Sequence, residues 1–142
     1  MSNNNGTLSM VANLTFGERV VAGKYFWKPD DFHGLNFSER IVKDYKARYK
    51  IFYFDKNIGS KNAIRAMNAK GFRPGNVNEL LKLGEIYNHP SDIVALGSTW
   101  LNKCNKKEVP ALMVGTSGRK LFLLYFDSSY GWGSGWGFLA VK

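Results

Sequence analysis

The chain has 142 residues, a formal net charge of +9 and a hydrophobic content of 44%. This length suits one domain whose core needs no cross-links, and the single cysteine, Cys104, excludes an internal disulfide. The first residues lack the basic and apolar segments of a signal peptide, and no apolar run reaches the roughly 18 residues of a spanning helix. We therefore expect a disordered tail over residues 1–7 and one domain over residues 8–142, with no membrane span and a cytoplasmic location by default.

Three segments carry the signals of helix starts and stops. A side-chain oxygen just before the helix, often with Glu three residues later, satisfies the free backbone N–H groups of the first turn. Gly and Pro are typical of the residues that end a helix. The predicted start and stop residues are Thr15 with Glu18 and Gly23, Ser60 with Gly71, and Asn76 with Glu79 and Pro90.

Several segments have strand character. "KARYKIFYFDKNIG" alternates, so that Ala47, Tyr49 and Ile51 face one way while the basic residues between them face the other. "RIVKDY" before it fits either a partner strand or a helical turn. "VPALMVG" and "KLFLLYF" form a hairpin whose turn contains Gly118, and the all-apolar "LFLLYF" indicates a central strand covered on both faces. With "GFLAVK" as the last strand, we expect an α+β fold with two to three helices packed on a twisted antiparallel sheet.

The segment "DSSYGWGSGWG" near the C-terminus sets aromatic residues among glycines. In an extended chain, alternate side chains share a face, and flat rings on a rigid frame suit stacking on sugars or anchoring a protein interface. We predict a surface that binds a protein or glycan ligand, with the alternative that the tryptophans fill the core. The predicted ligand-binding residues are Ser128, Ser129, Tyr130, Trp132, Ser134 and Trp136.

The positive charge supports a second hypothesis, nucleic-acid binding, because basic patches attract phosphates. Basic residues concentrate in "ERIVKDYKARYK", although scattered charge on an ordinary soluble surface remains the alternative. The residues of this second hypothesis are Arg40, Lys43, Lys46, Arg48 and Lys50.

The residue types needed for catalysis or metal binding do not form a pattern. His33, His89 and Cys104 lack the spacing of metal ligands, and Asp30 with Asp31 fits a solvated turn. "GTSGRK" lacks the spacing of a phosphate-binding loop. We therefore predict no enzyme activity, no cofactor and no metal, unless folding joins the aspartates, His33 and Cys104 in one cleft.

Three motifs resemble the formylglycine-generating-enzyme-like branch of the C-type lectin fold. They are "GFRP" at 71–74 before a capped helix, "GSTW" at 97–100 after a strand, and "GFLAV" at 137–141 in the closing strand. The resemblance implies a C-type-lectin-like fold. The chain lacks that family's cysteine pair, its histidine iron triad and its calcium-lectin motifs, which implies a binding role. The motif order is also similar to that of diversified variable proteins of this fold, which carry a binding surface near the C-terminus.

Most of residues 15–142 are also similar to a group of small uncharacterised bacterial proteins. The shared segments are "AGKYFWK" at 22–28, the "GFRP" turn with its helix, the "IVALGSTW" strand and the "GFLAV" end. This second resemblance implies no activity.

Overall fold

Three helices and one eight-stranded sheet form the part of the chain that the structure, a computed structural model, describes: residues 4–33, 37, 39–87, 91–115 and 118–142. The helices are α1 (Phe16–Ala22), α2 (Ser60–Ala69) and α3 (Val77–Ile86). The strands are β1 (Asn5–Met10), β2 (Tyr45–Tyr53), β3 (Arg73–Pro74), β4 (Asp92–Val94), β5 (Trp100–Leu101), β6 (Lys107–Gly115), β7 (Gly118–Tyr125) and β8 (Trp136–Val141). The predicted α+β class is confirmed.

The sheet is mostly antiparallel, with β8 at its centre. β8 lies between β2 and β4, and its pairing with β4 is parallel. One edge of β6 pairs with β4 and β5, and its other edge pairs with β7. The prediction that "LFLLYF" is a central, doubly covered strand is wrong, because β7 lies outside β6 and only Leu121 of that strand is fully buried. β8, in contrast, is buried on both faces from Gly137 to Val141.

The helices cover the two faces of this sheet and create two apolar clusters. On one face, α1 and α3 pack over residues that include Ile51, Ile93 and Leu139. On the other face, α2 packs over residues that include Val94 and Phe138. None of the helices in the described ranges has the length and apolar content needed to cross a bilayer.

Two of the three predicted helix starts are confirmed. Thr15 Oγ1 accepts from the backbone N–H of Glu18 at 3.0 Å, and Asn76 Oδ1 accepts from that of Glu79 at 2.9 Å. The prediction for Ser60 is wrong, since Gly59 is the cap residue of α2. The Ser60 hydroxyl instead donates to the Phe126 carbonyl at 2.7 Å, because the chain near the C-terminus folds against it. Pro90 lies outside the described residues, as do Thr116 and Ser117 of the predicted hairpin turn.

The residues at the start of β1 and the segment before β2 differ from their predictions. Residues 5–7, assigned to a disordered tail, begin β1 and pair with residues 48–50 of β2. Burial of Leu8 and Met10 anchors that strand to the core, so residues 5–7 are part of the sheet and not of a disordered tail. "RIVKDY" is neither a partner strand nor a helical turn: residues 40–44 form no regular element, and Tyr45 begins β2.

A buried carboxylate explains the "GFRP" turn. Glu79 is fully buried, and Arg73 donates to it through both Nη atoms, at 2.9 and 2.7 Å. The Tyr45 hydroxyl donates to Glu79 Oε2 at 2.8 Å, and the Asn76 backbone N–H donates to Oε1 at 2.9 Å. Burial, followed by the hydrogen bond to Glu79, raises the pKa of Tyr45 to about 12. This network joins β2, β3 and α3.

The "GSTW" motif supports the same helix start from the other side. The buried Ser98 hydroxyl accepts from the Val77 backbone N–H at 2.7 Å, which satisfies one of the free donors of the first turn of α3. The Gly97 N–H donates to the Gly75 carbonyl at 2.8 Å. A Cβ at Gly97 would lie 2.5 Å from that carbonyl oxygen, so the close approach requires glycine.

Candidate functional site

Trp132, a predicted ligand-binding residue, belongs to the core. Its side chain is 7% exposed, and its ring packs edge-on against Trp136 and Phe138 at centroid distances of 5.0 and 6.2 Å. The indole Nε1 donates to Ser60 Oγ at 2.8 Å, which satisfies its one polar atom. The prediction that this ring faces solvent is wrong, and the alternative that it fills the core is correct.

The segment from Asp127 to Gly135 is not extended. The aromatic side chains near the C-terminus therefore do not share the single face that an extended chain would give them. Residues 129–130 and 134–135 lie in turns, and Gly131 has a φ of +69°, a region that favours glycine. Backbone hydrogen bonds in both directions, at 2.7 and 3.0 Å, tie Trp132 to Ile58. Trp136 is half-buried at the start of β8, so Tyr130, Trp132, Ser134 and Trp136 do not line one surface.

The remaining predicted ligand-binding residues, Ser128, Ser129, Tyr130 and Ser134, are exposed. The Tyr130 side chain is 83% exposed, although its backbone carbonyl accepts from Asn57 Nδ2 at 3.3 Å. Ser128 and Ser129 border a cavity of about 560 Å³ beside the start of α2, where Lys61 and Arg65 also lie. Of the predicted ligand-binding residues, only the three serines and Tyr130 are exposed, and they lie in an irregular loop.

The basic residues of β2 form a second exposed surface. Lys46, Arg48 and Lys50 point away from α3, because the alternate residues Ala47, Tyr49 and Ile51 pack in the cluster that contains that helix. Their partners on β1 are Ser9, Thr7 and Asn5, which are also exposed. Neither strand contains an aspartate or glutamate. The basic face, as we name it, consists of Lys46, Arg48, Lys50, Asn5, Thr7, Ser9 and Lys142.

Lys142 and two phenylalanines extend this surface beside β8 and α2. The Lys142 backbone N–H donates to the Arg48 carbonyl at 2.8 Å, and its Nζ lies 4.8 Å from the centroid of the Phe72 ring. Lys50 Nζ similarly lies 5.1 Å from the centroid of Phe52. A concavity of about 380 Å³ opens here, lined by Asn5, Gly6, Thr7, Arg48, Tyr49, Lys50 and Phe72. The concavity therefore brings the cations of Arg48 and Lys50 close to the half-buried ring of Phe72.

The two remaining residues of the nucleic-acid hypothesis do not belong to the basic face. Arg40 lines a different cavity together with Phe16 of α1 and Asn78 of α3, which places it on the other side of the sheet. Its Nη1 donates to the carbonyls of Phe37 and Glu39 at 2.8 and 3.0 Å. Lys43 is exposed in the irregular segment before β2. The structure therefore separates Arg40 from Lys46, Arg48 and Lys50.

Sequence reasoning missed Phe72, Lys142 and the polar residues of β1. The alternation of polar and buried residues at Thr7, Leu8, Ser9 and Met10 is the signal that could have predicted β1 as a strand with one exposed polar face. No local signal connects Lys142 or Phe72 with β2, since only the sheet pairing brings them together.

The residues considered for catalysis lie at exposed positions wherever the structure describes them. Asp30, Asp31 and His33 are exposed, and Cys104 is an exposed thiol in the turn between β5 and β6. His89 lies outside the described residues. Within the residues that the structure describes, no group of three or more His, Cys, Asp or Glu side chains is arranged to hold a metal ion.

Three hydroxyl groups cluster between the end of β2 and the end of α3. Tyr53 and Tyr87 each contact the Ser91 hydroxyl, at 2.6 and 2.8 Å. Burial raises the pKa of Tyr87 well above its ordinary value, so this phenol stays protonated at neutral pH. A raised pKa is the opposite of what a general base needs.

Comparison of the chain with protein-family profiles, with curated proteins and with solved structures finds no match.

Proposed function

We propose that the chain binds single-stranded nucleic acid on the basic face. The observation that carries this proposal is the alignment of Lys46, Arg48 and Lys50 on one open strand face, with no acidic residue in β1 or β2. Alternate residues of a strand lie roughly 6.6 Å apart, a spacing that suits neighbouring phosphates along an extended nucleic-acid strand. Lys142 adds a fourth cation beside Arg48.

The concavity beside Phe72 supports a single strand rather than a duplex. Proteins that bind single strands combine a positively charged groove with aromatic rings on which bases stack. Arg48, Lys50 and the Phe72 ring line the same concavity, and Asn5 and Thr7 supply polar groups at its rim. A flexible single strand can enter a depression of this size, whereas the bases of a duplex stay stacked on each other.

Charge reversal on the basic face tests the proposal. Arg48→Glu with Lys50→Glu is expected to weaken binding of a fluorescent single-stranded oligonucleotide by about tenfold or more, because phosphate contacts dominate affinity. Fluorescence anisotropy at fixed salt measures the dissociation constant. Both side chains are exposed, so the circular dichroism spectrum and melting temperature should stay near those of the unmodified chain.

A matched control separates a site from net charge. Lys103→Glu with Lys106→Glu changes the charge by the same amount at exposed positions in the turn after β5. This control is expected to alter affinity by no more than about threefold, since only the local cations contact phosphate. Equal loss of affinity in both double variants, or no binding by the unmodified chain, would contradict a site on the basic face.

The C-terminal loop is the second candidate site, for a protein or glycan ligand. The observation that favours it is the exposed ring of Tyr130 on a backbone that Asn57 and Ile58 hold in place. An exposed aromatic ring on a fixed loop suits stacking on a sugar or insertion into a partner.

Tyr130→Ala tests this second candidate. It is expected to abolish capture on a glycan array or by a purified partner while leaving the melting temperature within about 2 °C, because the side chain makes few contacts. Tyr125→Ala, which removes another exposed ring from β7, is the matched control. Unchanged capture by the Tyr130 variant would remove the loop from consideration.

We also propose that the scaffold is C-type-lectin-like. Its support is that the three resembling motifs meet: β3, from the "GFRP" turn, pairs with β8 at Ala140 and Val141, and Gly97 bonds to the Gly75 carbonyl.

A further inference from the structure

A second cavity lies away from the basic face, between α1, α3 and the segment before β2. It has a volume of about 590 Å³, within the range typical of small-molecule sites. Leu14, Phe16 and Ile41 provide apolar walls, while Arg19 and Glu39 bring opposite charges to the same lining. Neither the proposed function nor the resemblance uses this cavity.

Arg19 is a buried cation with unused hydrogen-bonding capacity. Its side chain is 6% exposed, and Nη2 donates to the carbonyls of Val11 and Leu14. Within the described part of the chain, its Nε and Nη1 have no hydrogen-bond partner and no carboxylate forms an ion pair with it. A buried guanidinium is costly without an anion, and its planar fork fits a carboxylate.

Glu39 is the complementary feature of the lining. Its Oε1 is buried and has no hydrogen-bond partner among the residues that the structure describes. The neighbouring Arg40 is committed to backbone carbonyls through its Nη1, and Glu39 makes no ion pair within those same residues. Among the described residues, the cavity thus holds a cation and an anion that do not pair with each other, and each has polar atoms without a hydrogen-bond partner.

We propose that this cavity binds an apolar amino acid, or an amino-acid-like zwitterion. The ligand carboxylate takes the free N–H groups of Arg19, and its ammonium group donates to the Glu39 carboxylate. The ligand side chain packs against Leu14, Phe16 and Ile41, which are half-buried or exposed without it. A zwitterion supplies both missing charges at once, whereas a simple carboxylate would leave Glu39 unpaired and an amine would leave Arg19 unpaired.

Isothermal titration calorimetry of the full chain with phenylalanine, leucine, phenylpropionate and phenethylamine tests this proposal. The two amino acids should bind, and each analogue that lacks one charged group should bind about tenfold or more weakly, because hydrogen bonds to charged groups are among the stronger ones. Glu39→Gln should weaken phenylalanine binding while leaving phenylpropionate unchanged or improved. Absence of binding by both amino acids, or equal binding of the analogues, would overturn the proposal.

Two further variants keep the test decisive if a change at Glu39 disturbs the fold. Arg19→Lys retains the charge but loses the fork, and Ala12→Leu fills the cavity from a half-buried position in its lining. Both should abolish amino-acid binding, and a folded Ala12→Leu protein that binds phenylalanine normally would contradict the location. Arg48→Glu with Lys50→Glu is the control and should bind phenylalanine like the unmodified chain, which separates this site from the basic face.

Discussion

Trp132→Ala is expected to lower the free energy of unfolding by about 3–5 kcal/mol, the range for removing a large ring from a well-packed core. The indole is 7% exposed, contacts Trp136 and Phe138, and bonds to Ser60. The substitution would leave a cavity next to β8 and remove the donor to the Ser60 hydroxyl. Urea denaturation followed by circular dichroism measures the effect.

Trp27→Ala is the control for that experiment. Its ring is 47% exposed and contacts Phe122 at a centroid distance of 5.1 Å, so the expected loss is roughly 1–2 kcal/mol. A loss below 1 kcal/mol for Trp132→Ala would show that the ring is not a core residue, and it would restore the predicted ligand role. If Trp132→Ala instead lowers the free energy of unfolding by several kcal/mol, weaker ligand capture by this variant reflects lost stability and not a lost binding contact.

Glu79→Ala is expected to destabilise the chain by about 3 kcal/mol, because one carboxylate serves Arg73, Tyr45 and the Asn76 N–H. The Arg73 side chain is 50% exposed and can turn to water, so its share of the loss is modest. The larger share comes from the Tyr45 hydroxyl, the backbone donor and the lost capping box of α3.

Glu85→Ala provides the matched control on the same helix. Glu85 pairs with Lys82 at 3.3 Å, with both side chains part-exposed, so its removal should cost less than about 1 kcal/mol. Thermal melts and urea titrations of the two variants side by side measure the difference. Equal effects at Glu79 and Glu85 would contradict the view that the buried network organises the "GFRP" turn.

The elements that the sequence predicts well are those specified by neighbouring residues. The capping boxes of α1 and α3 form because donor and acceptor lie three residues apart. The faces of β2 follow from strict alternation, which sets Ala47 and Tyr49 inward and Lys46 and Arg48 outward.

The predictions that failed depended on partners far away in the sequence. Ser60 is not a cap because its hydroxyl contacts Phe126 and Trp132, which follow it by 66 and 72 residues. The aromatic face near the C-terminus fails because glycine-rich turns break the alternation that an extended chain would have. The second half of β7 is apolar, yet its place outside β6 is set by sheet order, which no local pattern encodes.

The candidate site was predictable only in part for the same reason. Lys46, Arg48 and Lys50 could be recognised from one strand, whereas Lys142 and Phe72 join them through the pairing of β8 with β2 and β3. Arg40 and Lys43 are close to these residues in sequence, but they lie in the irregular segment before β2. The alternation of the strand therefore does not determine where their side chains point.

The salt dependence of oligonucleotide binding tests the central claim most directly. If Lys46, Arg48, Lys50 and Lys142 each neutralise one phosphate, the logarithm of affinity against the logarithm of salt should have a slope of about −2.8. Replacing Arg48 and Lys50 with glutamine should reduce it to about −1.4. A slope near zero, or one that these two substitutions leave unchanged, would contradict nucleic-acid binding on the basic face.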